Sequence, residues 1–218
     1  MVRELCRGQG AKGNKDFERD LGAASRCRIK NSWGGKMKIT VVLGSNRDNS
    51  VSKKLAQRFI DGAKENGNEV VVYDVNEMNL KGCRGCGACR KMKRDCIIND
   101  DMQSYYKDLR ESGALVVTSP NYYSQVCGQM ITFMNRHYCL MDSERNIRIP
   151  QGIKLIGIFA QGAPEVYPKY DPHYDWYLDT FKGKGMELIG RIIAGGDSDL
   201  SENGKLMTEA YNLGLSLK

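Results

Sequence analysis

The sequence predicts a three-layer α/β fold: five parallel strands with helices on both faces. Three observations predict it. Short β-branched runs alternate with amphipathic segments at helical spacing. Several of the runs and helices stop at glycine. The strands read as near-continuous apolar runs, as in a sheet covered on both sides.

The elements follow in order. "KITVVLG" (Lys38–Gly44) is the first strand. "SVSKKLAQRFIDGAKENG" is a helix with Val51, Leu55, Phe59, Ile60 and Ala63 on one face and Gly67 as its stop. "EVVVYDV" is strand two, and a cysteine-rich loop, residues 81–100, comes next. "MQSYYKDLRESG" is helix two, ending at Gly113, and "ALVVTS" (Ala114–Ser119) is strand three. "GQMITFMNRHYCLM" is helix three, and "IKLIGIFAQG" is strand four. Helix four lies near Tyr174–Phe181, "GMELIGRIIAGG" is strand five, and "SENGKLMTEAYNLGLSL" is the last helix.

Residues 1–36 differ. They are rich in glycine and charge, poor in aliphatics, and carry nine Lys/Arg against four acids, a net +5 of the chain's +7. They are expected to be a disordered or non-native leader, with the functional chain, 37–218, starting at Met37. With that segment set aside the charge is only +2, so no basic face suited to nucleic acid is expected. No apolar run reaches the ~20 residues of a membrane span, and no secretory h-region is present. The expectation is a cytoplasmic protein whose eight cysteines serve a metal or redox site and not a disulfide framework.

In open parallel sheets, ligands bind beyond the carboxyl ends of the strands. After strand one, "GSNRDNSVS" combines glycine, hydroxyls, amides and Arg47, then opens a helix. That chemistry suits a phosphate: helix-terminal N–H groups, hydroxyl donors and a positive charge. It carries neither a G-x-G-x-x-G fingerprint nor a G-K-[ST] P-loop, and an ordinary capped turn explains it equally. After strand three, Pro120, Tyr122 and Tyr123 suit a flat ring system. After strand four, "AQGAPEVYP" is irregular enough to fold over a ligand. All three together point to one planar, phosphate-bearing ligand.

Cys83, Cys86, Cys89 and Cys96 have the spacing C-x2-C-x2-C-x6-C. Four thiolates suit a [4Fe–4S] cluster or zinc; a redox disulfide pair is a third use. Consecutive x2 steps are similar to the start of a ferredoxin loop, but the x6 gap departs from it. Lys81, Arg84, Arg90, Lys91, Lys93 and Arg94 surround them with only Asp95 nearby. These charges would favour reduction of an anionic cluster and steer acidic partners; a solvated loop is the plainer explanation. Cys127 and Cys139 are expected to be small core residues. Cys6, Cys27, His137 and His173 are given no role.

Together, "GSNRDNSVSKKL", "GCRGCGACRKMKRDCIINDDM" and "SPNYYSQVCGQMITFMNR" resemble the NAD(P)H-dependent FMN reductase superfamily of flavodoxin-like proteins, and within it the iron–sulfur flavoproteins. The resemblance covers Met37–Lys218. It implies the strand order 2-1-3-4-5 and FMN as cofactor. It places the phosphate at Ser45, Arg47, Asn49, Ser50 and Ser52, although Asn46 replaces the family's proline and Val51-Ser52 its Asn-Thr. It places the isoalloxazine at Ser119, Pro120, Asn121, Tyr122 and Tyr123, with Gln161 and Gly162 in the third loop. It selects a [4Fe–4S] cluster on Cys83, Cys86, Cys89 and Cys96. It further implies an electron-transfer oxidoreductase, a ferredoxin-like partner and a homodimer or homotetramer. No side chain is expected to act as a general acid or base. Two alternatives remain: an NAD(P)H-dependent FMN or quinone reductase without a cluster, and a flavin-free binding module with a structural four-cysteine zinc site.

Overall fold

The computed structural model describes residues 35–218. The expectation for residues 1–36 falls, but for its last two positions, outside the described residues. One sheet organises the rest. Parallel strands β1 (Lys38–Leu43), β2 (Glu69–Asp74), β3 (Ala114–Tyr122), β5 (Lys154–Ala160) and β6 (Glu187–Ala194) lie in the order β2-β1-β3-β5-β6. Between β3 and β5, β4 (Gln125–Val126) folds back antiparallel onto the end of β3. The sheet therefore has six strands and not five. Without β4, the order is the expected 2-1-3-4-5.

The helices are α1 (Val51–Glu65), α2 (Ala88–Lys91), α3 (Met102–Glu111), α4 (Gly128–Asn135), α5 (Asp171–Lys182) and α6 (Lys205–Leu215). Two differ from expectation. The single turn α2 sits inside the cysteine loop. Helix three is α-helical only to Asn135, then tightens into a 3-10 turn, Arg136–Leu140.

Side chains alternate across the strands. Ile39, Val41, Ile156 and Ile158 pack with Leu55 and Phe59 of α1 and Met207 and Ala210 of α6. Val42, Leu115, Leu155 and Phe159 face the opposite cluster, built from Tyr105, Phe133, Tyr177 and Phe181. Each such fully buried aliphatic or aromatic side chain contributes about 1.5–3 kcal/mol. Polar groups on the strands are paired: the buried Thr40 hydroxyl lies 2.8 Å from that of Ser112, and half-buried Lys38 reaches Asp108 at 2.7 Å and Glu111 at 2.8 Å through Nζ.

α1 starts where Ser50 Oγ accepts the Lys53 N–H at 3.1 Å, the side-chain bond of an N-cap. It ends at Asn66–Gly67, where Gly67 has φ +80°. Its packing on α6 is backbone to backbone. A Cβ on Gly62 would lie 2.1 Å from Tyr211 O, and one on Gly214 2.1 Å from Phe59 O.

His137 has a structural place that the sequence did not suggest. It is buried among Tyr105, Phe133 and Phe181. Its Nδ1 donates to Phe133 O at 3.0 Å, so Nε2 accepts from the Tyr105 hydroxyl at 2.7 Å. Burial pushes its pKa down to about 4, against the smaller opposing effect of backbone hydrogen bonds.

Candidate functional site

The chain passes from β1 to β2 on one side and then to β3 on the other. This opens a crevice at the carboxyl ends of β1 and β3. Gly44 leaves β1 at that crevice. A Cβ there would lie 2.4 Å from Met130 Cγ and 2.5 Å from Thr118 O, so glycine is required by space. Ser45, Ser50 and Ser52 are buried, while Arg47 and Asn49 are exposed. Ser45 Oγ accepts the Arg47 N–H at 3.2 Å, and the Ser50 and Ser52 hydroxyls lie 3.4 Å apart. Three hydroxyls thus gather at the N-terminus of a 15-residue helix whose first-turn N–H groups lack intrahelical partners. This arrangement fits a phosphate.

β3 runs three residues beyond the expected Ser119. It turns at Tyr123 (φ +54°) and Ser124 (φ +68°) and returns as β4. Both central residues of this hairpin have positive φ without being glycine, which costs roughly 1–2 kcal/mol each. Tyr123 is wholly exposed and Tyr122 is 45% exposed. The Ser119 hydroxyl is spent inside the loop: it donates to Pro120 O at 2.8 Å and accepts from Cys127 N at 2.9 Å. Cys127, buried as expected, donates its thiol to Gly44 O at 3.2 Å and joins this loop to the first.

A second tie joins this loop to the one after β5. Asn121 Nδ2 donates to the Tyr174 hydroxyl at 2.9 Å, and that hydroxyl donates to Gln161 Oε1 at 2.8 Å. Tyr174 stacks on Phe159 with centroids 4.4 Å apart. Burial pushes its pKa up to about 12, with the Asn121 hydrogen bond working the other way. The sequence treated Tyr174 only as part of a helix, because its spacing with Leu178 and Phe181 reads as an apolar face. Beside Gly162 there is open space.

The cysteine loop starts beyond β2, at the same sheet edge. Gly85 and Gly87 carry φ of +65° and +67°, conformations that glycine adopts freely. Cys83 and Cys86 are exposed, Cys96 is half-buried and Cys89 is buried. Burial pushes the Cys89 thiol up; the Arg90 N–H opposes this, and Cys96, Cys86 and Cys83 add to the rise. Among the described residues no three metal-capable side chains are gathered into a site. The donor set fits a four-thiolate group in its chemistry, with the sulfurs still to be drawn together.

The loop is also less freely basic than expected. Arg90 donates to Asp142 O at 3.0 and 2.7 Å and to the Tyr138 hydroxyl at 2.9 Å. Lys93 pairs with Glu144 at 2.7 Å, and Asp95 pairs with Arg110. Lys81, Arg84, Lys91 and Arg94 are exposed. Cys139 is buried, as expected of a core cysteine.

The strand order and the crevice loops define a flavodoxin-like α/β protein. Sequence comparison gives the family: the profile for NADPH-dependent FMN reductase matches residues 37–152, and the chain belongs to that family. Membership makes it a flavin redox protein and supports FMN as its ligand. It is 27% identical to an iron-sulfur flavoprotein of Methanosarcina thermophila over 163 residues, 74% of this chain and 79% of that one. It is 33% identical to an iron-sulfur flavoprotein of Archaeoglobus fulgidus over 100 residues, 46% of this chain and 45% of that one. In structure it is similar to the NAD(P)H:quinone oxidoreductase from Methanothermobacter marburgensis, with TM-score 0.69 and 17% identity over 84% of this chain and 96% of that one. No described helix is long and apolar enough to cross a membrane.

Proposed function

We propose that the protein is an FMN-dependent electron-transfer flavoprotein whose Cys83, Cys86, Cys89 and Cys96 hold a [4Fe–4S] cluster. One observation carries the flavin part: the loops after β1, β3 and β5 are fastened to one another at one sheet edge through Cys127–Gly44 and Asn121–Tyr174–Gln161. Ser45, Ser50 and Ser52 with Arg47 and Asn49 bind the phosphate. Pro120, Asn121, Tyr122 and Tyr123 line the ring, Gln161 and Gly162 close the third side, and Ser119 holds the ring loop in shape. Names of relatives such as that of Methanosarcina thermophila support the cluster. FMN exchanges one or two electrons, and the cluster one at a time, so the pair links one-electron donors to two-electron acceptors. Exposed Lys81, Arg84, Lys91 and Arg94 favour an acidic carrier such as a ferredoxin. The chain works in the cytoplasm as a homodimer or homotetramer.

Anaerobic purification with iron, sulfide, zinc and flavin analysis tests this. The expected result is one FMN with about four iron and four sulfide per chain. Stoichiometric zinc without sulfide would replace the cluster by a structural zinc site. A second reading, an NAD(P)H-dependent FMN or quinone reductase without a cluster, draws on the exposure of Cys83 and Cys86. FMN with no iron and rapid NAD(P)H oxidation would establish it.

A further inference from the structure

We propose that Arg136 is the positioning residue of the cysteine loop, closing its two ends on each other at a buried ion pair. This rests on the reading of the loop as a thiolate site, but the tie itself stands on geometry. Arg136 is only 1% exposed, yet it carries a full charge. Its Nη1 donates to Lys81 O, two residues before Cys83, at 2.6 Å. The same guanidinium grips Asp100, four residues after Cys96, through Nη1 at 2.5 Å and Nη2 at 3.0 Å. Asp100 in turn accepts the Lys81 N–H at 3.1 Å and the Met102 N–H at 3.3 Å. The twenty residues from Lys81 to Asp100 are thus a loop shut at its base by one guanidinium–carboxylate pair.

The base is fixed to a firm support. Arg136 opens the 3-10 turn, and its carbonyl accepts the Tyr106 hydroxyl at 2.8 Å and the Cys139 thiol at 3.4 Å. Gln103 Nε2 takes the carbonyls of Cys96 and Ile98, both at 2.7 Å. Arg148 Nη1 ties Arg94 O and Cys139 O at 2.7 and 2.8 Å.

One donor is left over. Arg136 Nε is buried with no hydrogen-bond partner. A buried N–H without a partner costs about 1–3 kcal/mol, and a buried ion pair is weak as a source of stability. Both facts fit a group kept for a task. The task that matches the geometry is to hold the two ends of the cysteine loop in register.

The test uses the full chain as purified and two variants. Arg136→Met with Asp100→Asn removes the tie without stranding a lone charge; Arg136→Lys keeps the charge and loses the fork. Hydrogen exchange is read first in the protein as purified at the amides of Lys91, Met92, Lys93 and Arg94, which are bonded within the loop. The expected result for the double variant is exchange faster by about tenfold or more there, with β1 and α1 unchanged. Unchanged loop exchange, or an equal rise in β1 and α1, would overturn the tie. The reduction potential of anaerobically reconstituted protein is read second. A shift in the double variant that is smaller in Arg136→Lys supports the positioning role; equal potentials in all three would overturn it. Metal content of the wild-type chain decides the cluster reading separately, and the exchange result stands whichever way that falls.

Discussion

The two halves of the candidate site are built in opposite ways. The crevice at β1, β3 and β5 is assembled by the sheet itself. Its loops leave adjacent strands, its hydroxyls are buried, and its side chains fasten loop to loop. The cysteine loop leaves the sheet at its edge strand β2, and two of its four sulfurs face solvent. Its shape comes from outside, through Arg136, Arg90, Gln103 and Arg148. One region takes its shape from strand register, the other from side-chain tethers.

Four experiments sharpen or break this contrast. The largest effect is expected from Cys86→Ala. If the loop holds the proposed cluster, this variant should lose its iron while FMN content stays at wild-type level, since the two regions use separate loops. Joint loss of both cofactors, seen by metal analysis and flavin absorbance, would break the contrast outright. Gly44→Val is the converse. The added side chain must displace Met130 or the Thr118 carbonyl, an overpacking cost of about 1–3 kcal/mol or more. FMN binding should be lost, and loop iron retained; calorimetric titration with FMN checks it.

Acid should reach the tethered side through His137, next in the chain to Arg136. Its pKa in the fold, about 4, lies below its ordinary 6.5, so folding favours the neutral ring. That contribution is complete above pH ~6.5 and is lost as pH falls towards 4, up to about 3 kcal/mol in all. Melting temperature should therefore drop across this window, and His137→Phe should flatten the drop. A parallel slope in both proteins would place the acid sensitivity elsewhere. The smallest effect is expected from Tyr174→Phe, which leaves Asn121 Nδ2 and Gln161 Oε1 without their shared partner. A loss of about 1–2 kcal/mol, read as weaker FMN affinity by fluorescence titration, would show that the crevice also depends on a tether of its own.

Local pattern made the sheet legible. Ile39–Val42, Val70–Val72 and Leu155–Phe159 are largely apolar runs, and Gly44 and Ser50 mark their turns by type alone, whereas the strand order came with the family resemblance. The end of β3 was not legible: Pro120 and the paired tyrosines read as a loop, yet pairing with Gln125–Val126 makes them a hairpin. Arg136 and Asp100 stand 36 residues apart, and each looks like an ordinary surface charge in its own segment. Nor could spacing reveal Tyr174, because an aromatic on the inner face of a helix gives the same pattern whether or not its hydroxyl has work. Periodicity reports which face is inward; it does not report which distant polar atoms meet there.

The close packing of α1 on α6 at Gly62 and Gly214 also has a consequence for timing. α1 carries the hydroxyl-lined helix start, yet its inner face is covered by α6, some 140 residues further along the chain. A chain still lacking residues 205–215 leaves Phe59 and Ala63 bare and the first turn of α1 without firm support. During synthesis, the cofactor crevice can thus mature only after nearly every other element has been made. A ribosome-bound chain halted before Lys205 would then be a poor acceptor of flavin, however well its β1 and β3 have paired.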